Sequence, residues 1–519
     1  MEDAAVFGIS LGSASSTIAL NKGTKTELLA NHAGERTTPT LVSYREGGEV
    51  VGRAAKQTLH RNVSNTVSNM IHLIGKSFDD EDVEKIASIL TCKVGKGEEG
   101  MVCYLVKEGE REKPIPVSDS LTLVLRSLYD TGEAFSGGEP EMAVVVAVPP
   151  DFTPPQRNLI RSCCEAAGFE VMRIITEPSA ICLAHDIGQR NKTEKCHVMV
   201  YNLGAHTLTL SLLLVAGGMY SQLATKTVWD SVGGNEFDKA IADFLASEFE
   251  KQRRVSIHGN EKCRFKLLAA AESAKHALSR VQTTAVHVES VHDGLDLTYS
   301  LSRGRFEGLC TAVFRRCVNS DLITGVLSDG GVTRGDVARV IMAGGSCNIP
   351  QLHSLLESEF PGSEILSSSP SPEVAVATGC ALEAGLIKER WEGRGEEEDG
   401  VQVPCVPHDL WIKGARLRDH LLLPSLTPLP SHSSLSFSLP LEEDASLLWY
   451  SLELWEKRST NQETEIAKVS VPVGVASGET GEDVSVKVSL VWTAENAVTM
   501  TTTKRDSDWS ITLNLTCDE

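Results

Sequence analysis

Apolar residues along this chain fall into short runs broken by glycine, and two of those runs match each other. Val198 to Val215 (VMVYNLGAHTLTLSLLLV) reads as an apolar strand, a turn at Asn202-Leu203-Gly204, and a second strand rich in Thr and Leu. Val6 to Leu20 (VFGISLGSASSTIAL) repeats that order, with Ser10 in the place of Asn202 and Leu11-Gly12 in the place of Leu203-Gly204. A strand that breaks at a glycine and returns as a strand predicts a hairpin. Glycine lets backbone come close to a phosphate, and the exposed amides at such a tip suit an anion. Either copy alone reads better as an ordinary buried hairpin. Together they predict a duplicated fold with a cleft between its halves.

The rest of the first three-quarters alternates strand and helix. Met142 to Val148 (MAVVVAV) is apolar throughout, as in a strand buried on both faces. Thr153 can cap the next helix, Pro154 fits its first position and Gly168 ends it. Val171 to Ile175 predicts another strand, and Glu177 opens another helix. Upstream, Ser118 to Ala134 has helical spacing through Leu121, Leu125 and Leu128, while the charged, glycine-containing segment from Gly95 to Pro116 predicts a surface excursion. Val232-Gly233-Gly234-Asn235 opens a helix over Glu236 to Glu250.

Cys263 to Arg280 predicts a further helix. Glu272, Lys275, His276 and Ser279 share one face of it, and Leu267, Ala271, Ala274 and Leu278 share the opposite face. Without context the polar face is a solvated one with a Glu–Lys pair. Val340 to Ala343 predicts a strand that ends in Gly344-Gly345-Ser346, a third glycine turn at the carboxyl end of a strand, where α/β sheets gather ligands. Glu373 to Leu386 closes the region as a small-residue helix. This is an α/β architecture, assigned to residues 1–388.

Beyond it the texture changes. Glu389 to Gly400 (ERWEGRGEEEDG) has no periodicity, and 389–406 is assigned as an acidic linker. Leu435 to Leu441, Val469 to Val473, Val484 to Trp492 and Trp509 to Leu515 alternate apolar and polar residues. That pattern predicts antiparallel sheet with one buried face, a small β-sandwich over 407–519.

Composition narrows the function. Seventy acidic and 49 basic residues give a formal net charge of −21, which argues against a large nucleic-acid footprint. The thirteen cysteines include no C-x-x-C pair, so reduced, buried thiols in a cytosolic protein are expected. The start, MEDAAVFG, lacks the basic and apolar regions of a signal peptide. Cys196 to Thr225 is uncharged, yet His197, Asn202, His206 and its glycine turn mark buried strands rather than a membrane helix.

With these pieces in order, the chain resembles the seventy-kilodalton heat-shock protein family of the actin-like ATPases. The matching stretches are GISLGSASS, NTVSNMIHLIGK, VAVPPDF, RIITEPSAICLAH, YNLGAHTLTLS, VGGNEFD, AAESAKHALS, SRGRFE, MAGGSCNIP and PEVAVATGCALEAG, in family order. The resemblance implies a two-lobed fold with an ATP (or ADP) cleft. Gly12, Ser13, Ala14 and Ser15 would meet the phosphates from one side, and Gly204, Ala205, His206 and Thr207 from the other. Gly233 and Gly234 would stand among the nucleotide contacts. Glu272, Lys275, His276 and Ser279 would line the nucleoside side, with Gly344, Gly345 and Ser346 opposite.

The departures from the family pattern concern catalysis. Where active members carry carboxylates that organise Mg²⁺, this chain has Ser10, Asn202 and Thr209, none of which supplies the charge a hard cation favours. Ile71 aligns with the catalytic lysine. Glu177 remains. The resemblance with these losses implies weak or absent hydrolysis, because phosphoryl transfer depends on positioning and charge stabilisation. Ala205 and His206 replace glycines, so their side chains either crowd a phosphate or, through the imidazole, bond to it. His276 and Asn348 replace base-stacking arginines. The β-domain is not followed by the family's helical lid. The pattern is similar to the short, ribosome-associated branch of the family. It implies a stable heterodimer with a J-domain co-chaperone, an indirect link to the ribosome, and assistance to nascent polypeptides in the cytosol. No membrane contact, direct nucleic-acid site or resident metal is expected. The alternatives are an active ATP-hydrolysing chaperone with substituted metal ligands, a metabolite kinase, which leaves the β-domain unexplained, and an actin-like filament protein.

Overall fold

The computed structural model describes residues 5–392, apart from 24, 110, 137–141, 190–194 and 230, and the segments 409–414, 420–423, 431–439, 448–459, 462–473, 484–492, 497–504 and 509–516. The two hairpins form as the pattern predicts. Val6–Leu11 pairs antiparallel with Ser15–Asn21, and Lys195–Leu203 with Leu208–Ala216. Ser10 stands opposite Thr17, and Asn202 opposite Thr209. Each hairpin is the centre of a sheet built to one plan. In the first, Val6–Leu11 runs parallel to Met142–Val148, which runs parallel to Phe169–Thr176. In the second, Lys195–Leu203 runs parallel to Val337–Ala343, which runs parallel to Glu364–Leu366. The parallel strands therefore deliver their carboxyl ends to the same edge as the hairpin tips.

Each sheet belongs to one lobe with its own core. In lobe I, Phe7, Ile9, Val144, Val146 and Ile160 pack with Leu121, Leu125 and Leu128 of the helix Val117–Ser136. In lobe II, Tyr201, Leu203 and Leu210 pack with Phe237, Ile241 and Leu245 of Gly234–Arg253 and with Leu267, Ala271, Ala274 and Leu278. A third cluster joins the lobes. Val145 and Ala147 from one sheet and Val198, Val200 and Ile341 from the other meet Ala180 and Ile181 of the helix Glu177–Ala184 and Ala375, Cys380 and Ala384 of the helix Ala375–Glu392. These two helices touch backbone to backbone. A Cβ on Gly379 would collide with the carbonyl of Ala180, and one on Gly8 with the backbone of Ala381 and Ala377.

Three segments differ from the sequence expectation. Gly95 to Pro116 is not a surface excursion: Lys93–Lys96, Val102–Glu108 and Arg111–Pro116 form a three-stranded sheet. Charged residues occupy its solvent face while Val102, Tyr104, Val106 and Ile115 turn into the lobe I core, and the Tyr104 hydroxyl donates to Ser68 O at 2.6 Å. The closing helix runs on to Glu392 and takes in the first residues of the expected linker; 393–406 lie outside the described residues. In the C-terminal part, strands at Asp409–Gly414, His420–Leu423, Leu448–Ser459 and Ala497–Lys504 join those expected, giving two four-stranded antiparallel sheets. Leu410, Ile412, Leu452 and Val469 of one sheet share a core with Val486, Val488, Leu490 and Met500 of the other. Lys487 pairs with Asp329 of lobe II at 2.6 Å.

Ten of the eleven cysteines among the described residues with free thiols are buried, and Cys196 is half-buried. No helix among the described residues is long and apolar enough to cross a membrane.

The backbone contact at Gly379 yields a paired prediction. Gly379→Ala gains helix propensity of about 1 kcal/mol but overpacks the seam, and a net loss of about 1–3 kcal/mol is expected. Gly308→Ala, in the helix Arg303–Leu309 with nothing within 4 Å of the new Cβ, should instead gain up to about 1 kcal/mol. Urea unfolding of the two variants checks both signs.

Candidate functional site

The two hairpin tips close identically: Gly12 N–H donates to Ser15 O at 3.1 Å and Gly204 N–H to Thr207 O at 2.9 Å. Both tips face a cleft of about 2370 Å³ between the lobes. Gly12, Ser13, Ala14, Ser15, Gly204, Ala205, His206, Thr207, Gly234, Glu272, Lys275, His276, Ser279, Gly344, Gly345 and Ser346 all line it. Gly233 does not. It stands behind the wall at the cap of Gly234–Arg253, in the left-handed half of φ (92°), and a Cβ there would lie 2.5 Å from Ala205 O. Gly344, at φ 85°, is equally tight against Leu203 and Asn202.

The second tip is tied down from two directions. Gly234 N–H donates to Gly204 O at 3.0 Å, Asn235 N–H to Ala205 O at 3.0 Å, and Ser346 Oγ to Gly204 O at 2.8 Å. Two stretches distant in sequence, Gly234-Asn235 and Ser346, thereby hold one turn. Asn235 Nδ2 lies 3.1 Å from His206 Nε2, so the imidazole turns toward the helix start. Burial, reinforced by Lys275, pushes the His206 pKa down to about 4, and the ring is neutral near pH 7.

The polar face of Glu261–Leu278 splits into separate tasks. Lys275 turns inward: its Nζ donates to Asp238 Oδ2 at 2.7 Å and to Gly234 O at 3.0 Å, with both side chains under one-tenth exposed. Burial raises Asp238 to about 6, with Lys275 holding it back, and Asp238 Oδ1 has no partner. Glu272 instead reaches Lys56 of lobe I at 2.7 Å, across the mouth of the cleft. Burial pushes the Glu272 carboxyl up, but Lys56 outweighs it and the pKa ends below the usual range. Asn348 Nδ2 donates to Glu373 Oε2 at 2.9 Å, away from a stacking role.

At the floor, Ile71 is sealed in the lobe I core, 2% exposed. Asn202 Nδ2 donates to Glu177 Oε2 at 2.8 Å. Burial lifts Glu177 to about 7, nearby Asp151 lifts it further, and the Asn202 amide opposes both. Asp151 was not among the residues singled out from sequence. It follows the strand Met142–Val148, lines the cleft, and accepts from Thr227 Oγ1 at 3.5 Å; burial raises its pKa too. Asp238, His72 and Trp229 were likewise missed. Only Asp151 carried a local signal, as the polar residue just past the carboxyl end of a buried strand.

Two mirrored sheets, a cleft at their shared strand ends and a glycine turn on each wall accord with the profile match that follows. The family profile described as "Hsp70 protein" matches residues 6–402. The chain belongs to the heat-shock protein 70 family. Among curated members, it is similar to "Heat shock 70 kDa protein 14" of Homo sapiens, 36% identical over 476 residues and 90% of each chain. "Heat shock 70 kDa protein 14-A" of Xenopus laevis is 34% identical over 523 residues, covering 99% of this chain and 97% of that one. Members of the heat-shock protein 70 family bind nucleotide, and the predicted site residues of this member, Gly233 excepted, line one cleft.

Two measurements test the electrostatics. Lys275→Met leaves the buried Asp238 carboxylate without a partner and should cost about 3–5 kcal/mol, while adding Asp238→Leu should recover most of that loss. For Glu177, a folded pKa raised above the unfolded value means that folding takes up a proton. Its stabilising contribution is full below the unfolded pKa near 4.5 and is lost as pH rises through about 7. Glu177→Gln should therefore be more stable than wild type at pH 8, with the difference shrinking as pH falls and vanishing by about pH 4, as read by thermal melts across that range.

Proposed function

We propose that this protein is an atypical chaperone of its family whose lobes form a nucleotide-binding scaffold with weak or absent hydrolysis, paired with a J-domain co-chaperone in a ribosome-associated complex that assists nascent polypeptides. One observation carries the hydrolysis part: Ser10, Asn202 and Thr209 offer no carboxylate at the hairpins, and Ile71 is buried where the family places a catalytic lysine. Glycine turns at both hairpin tips, whose backbone amides line the cleft, suit a polyphosphate. Gly12 to Ser15 and Gly204 to Thr207 would hold the phosphates, and Glu272, His276 and Ser279 the nucleoside. The donor set does not suit Mg²⁺. Glu177 is engaged by an amide and sits near its own pKa at neutral pH, and among the described residues no group of three or more His, Cys, Asp or Glu is placed to hold a metal.

The partner half of the reading rests on similarity to the curated "Heat shock 70 kDa protein 14" chains and on the resemblance drawn from sequence. The two C-terminal sheets with a shared core fit the small β-sandwich read there, and a cytosolic setting fits the largely buried free thiols. A second reading has one observation in its favour. Asp151 and Glu177 place two carboxyl groups at the cleft floor, where an active ATPase with substituted ligands would need them.

Calorimetric ATP titration with EDTA or with Mg²⁺, combined with single-turnover hydrolysis, decides between them. A Kd that changes less than about threefold on adding EDTA, with no turnover, is the expected result. Mg²⁺-dependent turnover lost in Asp151→Asn transfers the case to the active enzyme. Co-sedimentation of the chain with ribosomes only when a J-domain protein is present checks the partner; binding to neither removes that half of the proposal.

A further inference from the structure

Trp229 follows the strand Met219–Val228 at the edge of lobe II, yet its ring packs against the core cluster of lobe I. There it meets the His72 imidazole edge-on, with ring centroids 4.2 Å apart and planes at 82°. His72 lies on the short lobe I helix Met70–Leu73, whose neighbouring residues Met70, Ile71 and Leu73 are all buried. The contact thus joins a lobe II strand end to the packed base of lobe I, and an edge-to-face pair adds directional attraction to the burial of a large ring.

Two more lobe-to-lobe contacts flank it on the same floor. Thr227, two residues before Trp229, donates to Asp151 Oδ2, and Asn202 donates to Glu177 Oε2. Burial holds the His72 pKa down to about 3, with His206 and Lys76 lowering it further, so the ring presents no charge to the indole near neutral pH. Hydrogen bonds to carboxyl groups and an aromatic contact do here, with side chains alone, what a bridging cation cannot do for a donor set that does not suit it.

We propose that Trp229 and His72 latch the two lobes together at the floor of the cleft, so that holding the lobes in register requires neither divalent metal nor nucleotide. The latch goes beyond the nucleotide-scaffold reading, because it rests on contacts between side chains of the two lobes. A chain that binds no ATP at all would still carry it.

Amide hydrogen exchange on the full chain, in EDTA and without nucleotide, tests it. In wild type, the peptides covering 66–76 and 202–209 should be protected. In Trp229→Ala both should exchange at least tenfold faster, while Met142–Val148 in the lobe I sheet stays protected. His72→Ala should reproduce the effect, and Trp229→Phe, which keeps an aromatic ring in the lobe I core, should retain most of the protection. Fast exchange of these peptides in wild type, or wild-type rates in Trp229→Ala, overturns the latch. If Trp229→Ala also loses protection at Met142–Val148, it has unfolded, and His72→Ala decides: faster floor exchange supports the latch and unchanged exchange overturns it.

Discussion

The seam between the two helices Glu177–Ala184 and Ala375–Glu392 is the constraint on which the rest of the molecule depends. Gly379 lets one helix lie on the backbone of the other, and Gly8 lets the first strand of lobe I touch the same helix. Both sheets turn their apolar faces, through Val145, Val198 and Ile341, onto that pair. Two like sheets packed on a common spine must point their strand ends toward one another. The cleft is therefore a product of packing before it is a product of any polar residue, and small side chains at the spine fix its width.

Packing of this kind does not depend on charge at the hairpins. Ser10, Asn202 and Thr209 occupy register positions at the two hairpins, and the hairpins form without charge there. Charged and polar groups lining the cleft hold the structure instead. Lys275 anchors one helix to another through Asp238, and Glu177 receives an amide from across the floor. Each such contact satisfies a buried polar atom that would otherwise be costly.

The hairpins, the buried strands and the helix over Cys263 to Arg280 were legible because each is written locally, in runs or in 3.6-residue spacing. The split of that helix into Lys275 turned inward and Glu272 turned across the mouth was not. Both residues sit on the same sequence face, and their partners Asp238 and Lys56 lie far away in the chain. The sheet from Lys93 to Pro116 was hidden for a different reason. Its exposed lysines and glutamates dominate a reading by composition, while Tyr104 and Val106 carry the burial. Asp151 and Trp229 matter only because two lobes bring them to Thr227 and His72. The carboxyl-end rule points to the first, and nothing local points to the second.

The two ends of the cleft are joined by different forces. Lys56 and Glu272 meet at the mouth, each with a third or more of its side chain in solvent. At physiological ionic strength the screening length is about 8 Å, and an exposed pair of this kind weakens as salt rises. The floor depends on amide, hydroxyl and ring contacts, none of them an ion pair. Raised ionic strength therefore loosens the rim of the cleft before its base, by no more than the roughly 0–1 kcal/mol that such an exposed pair contributes.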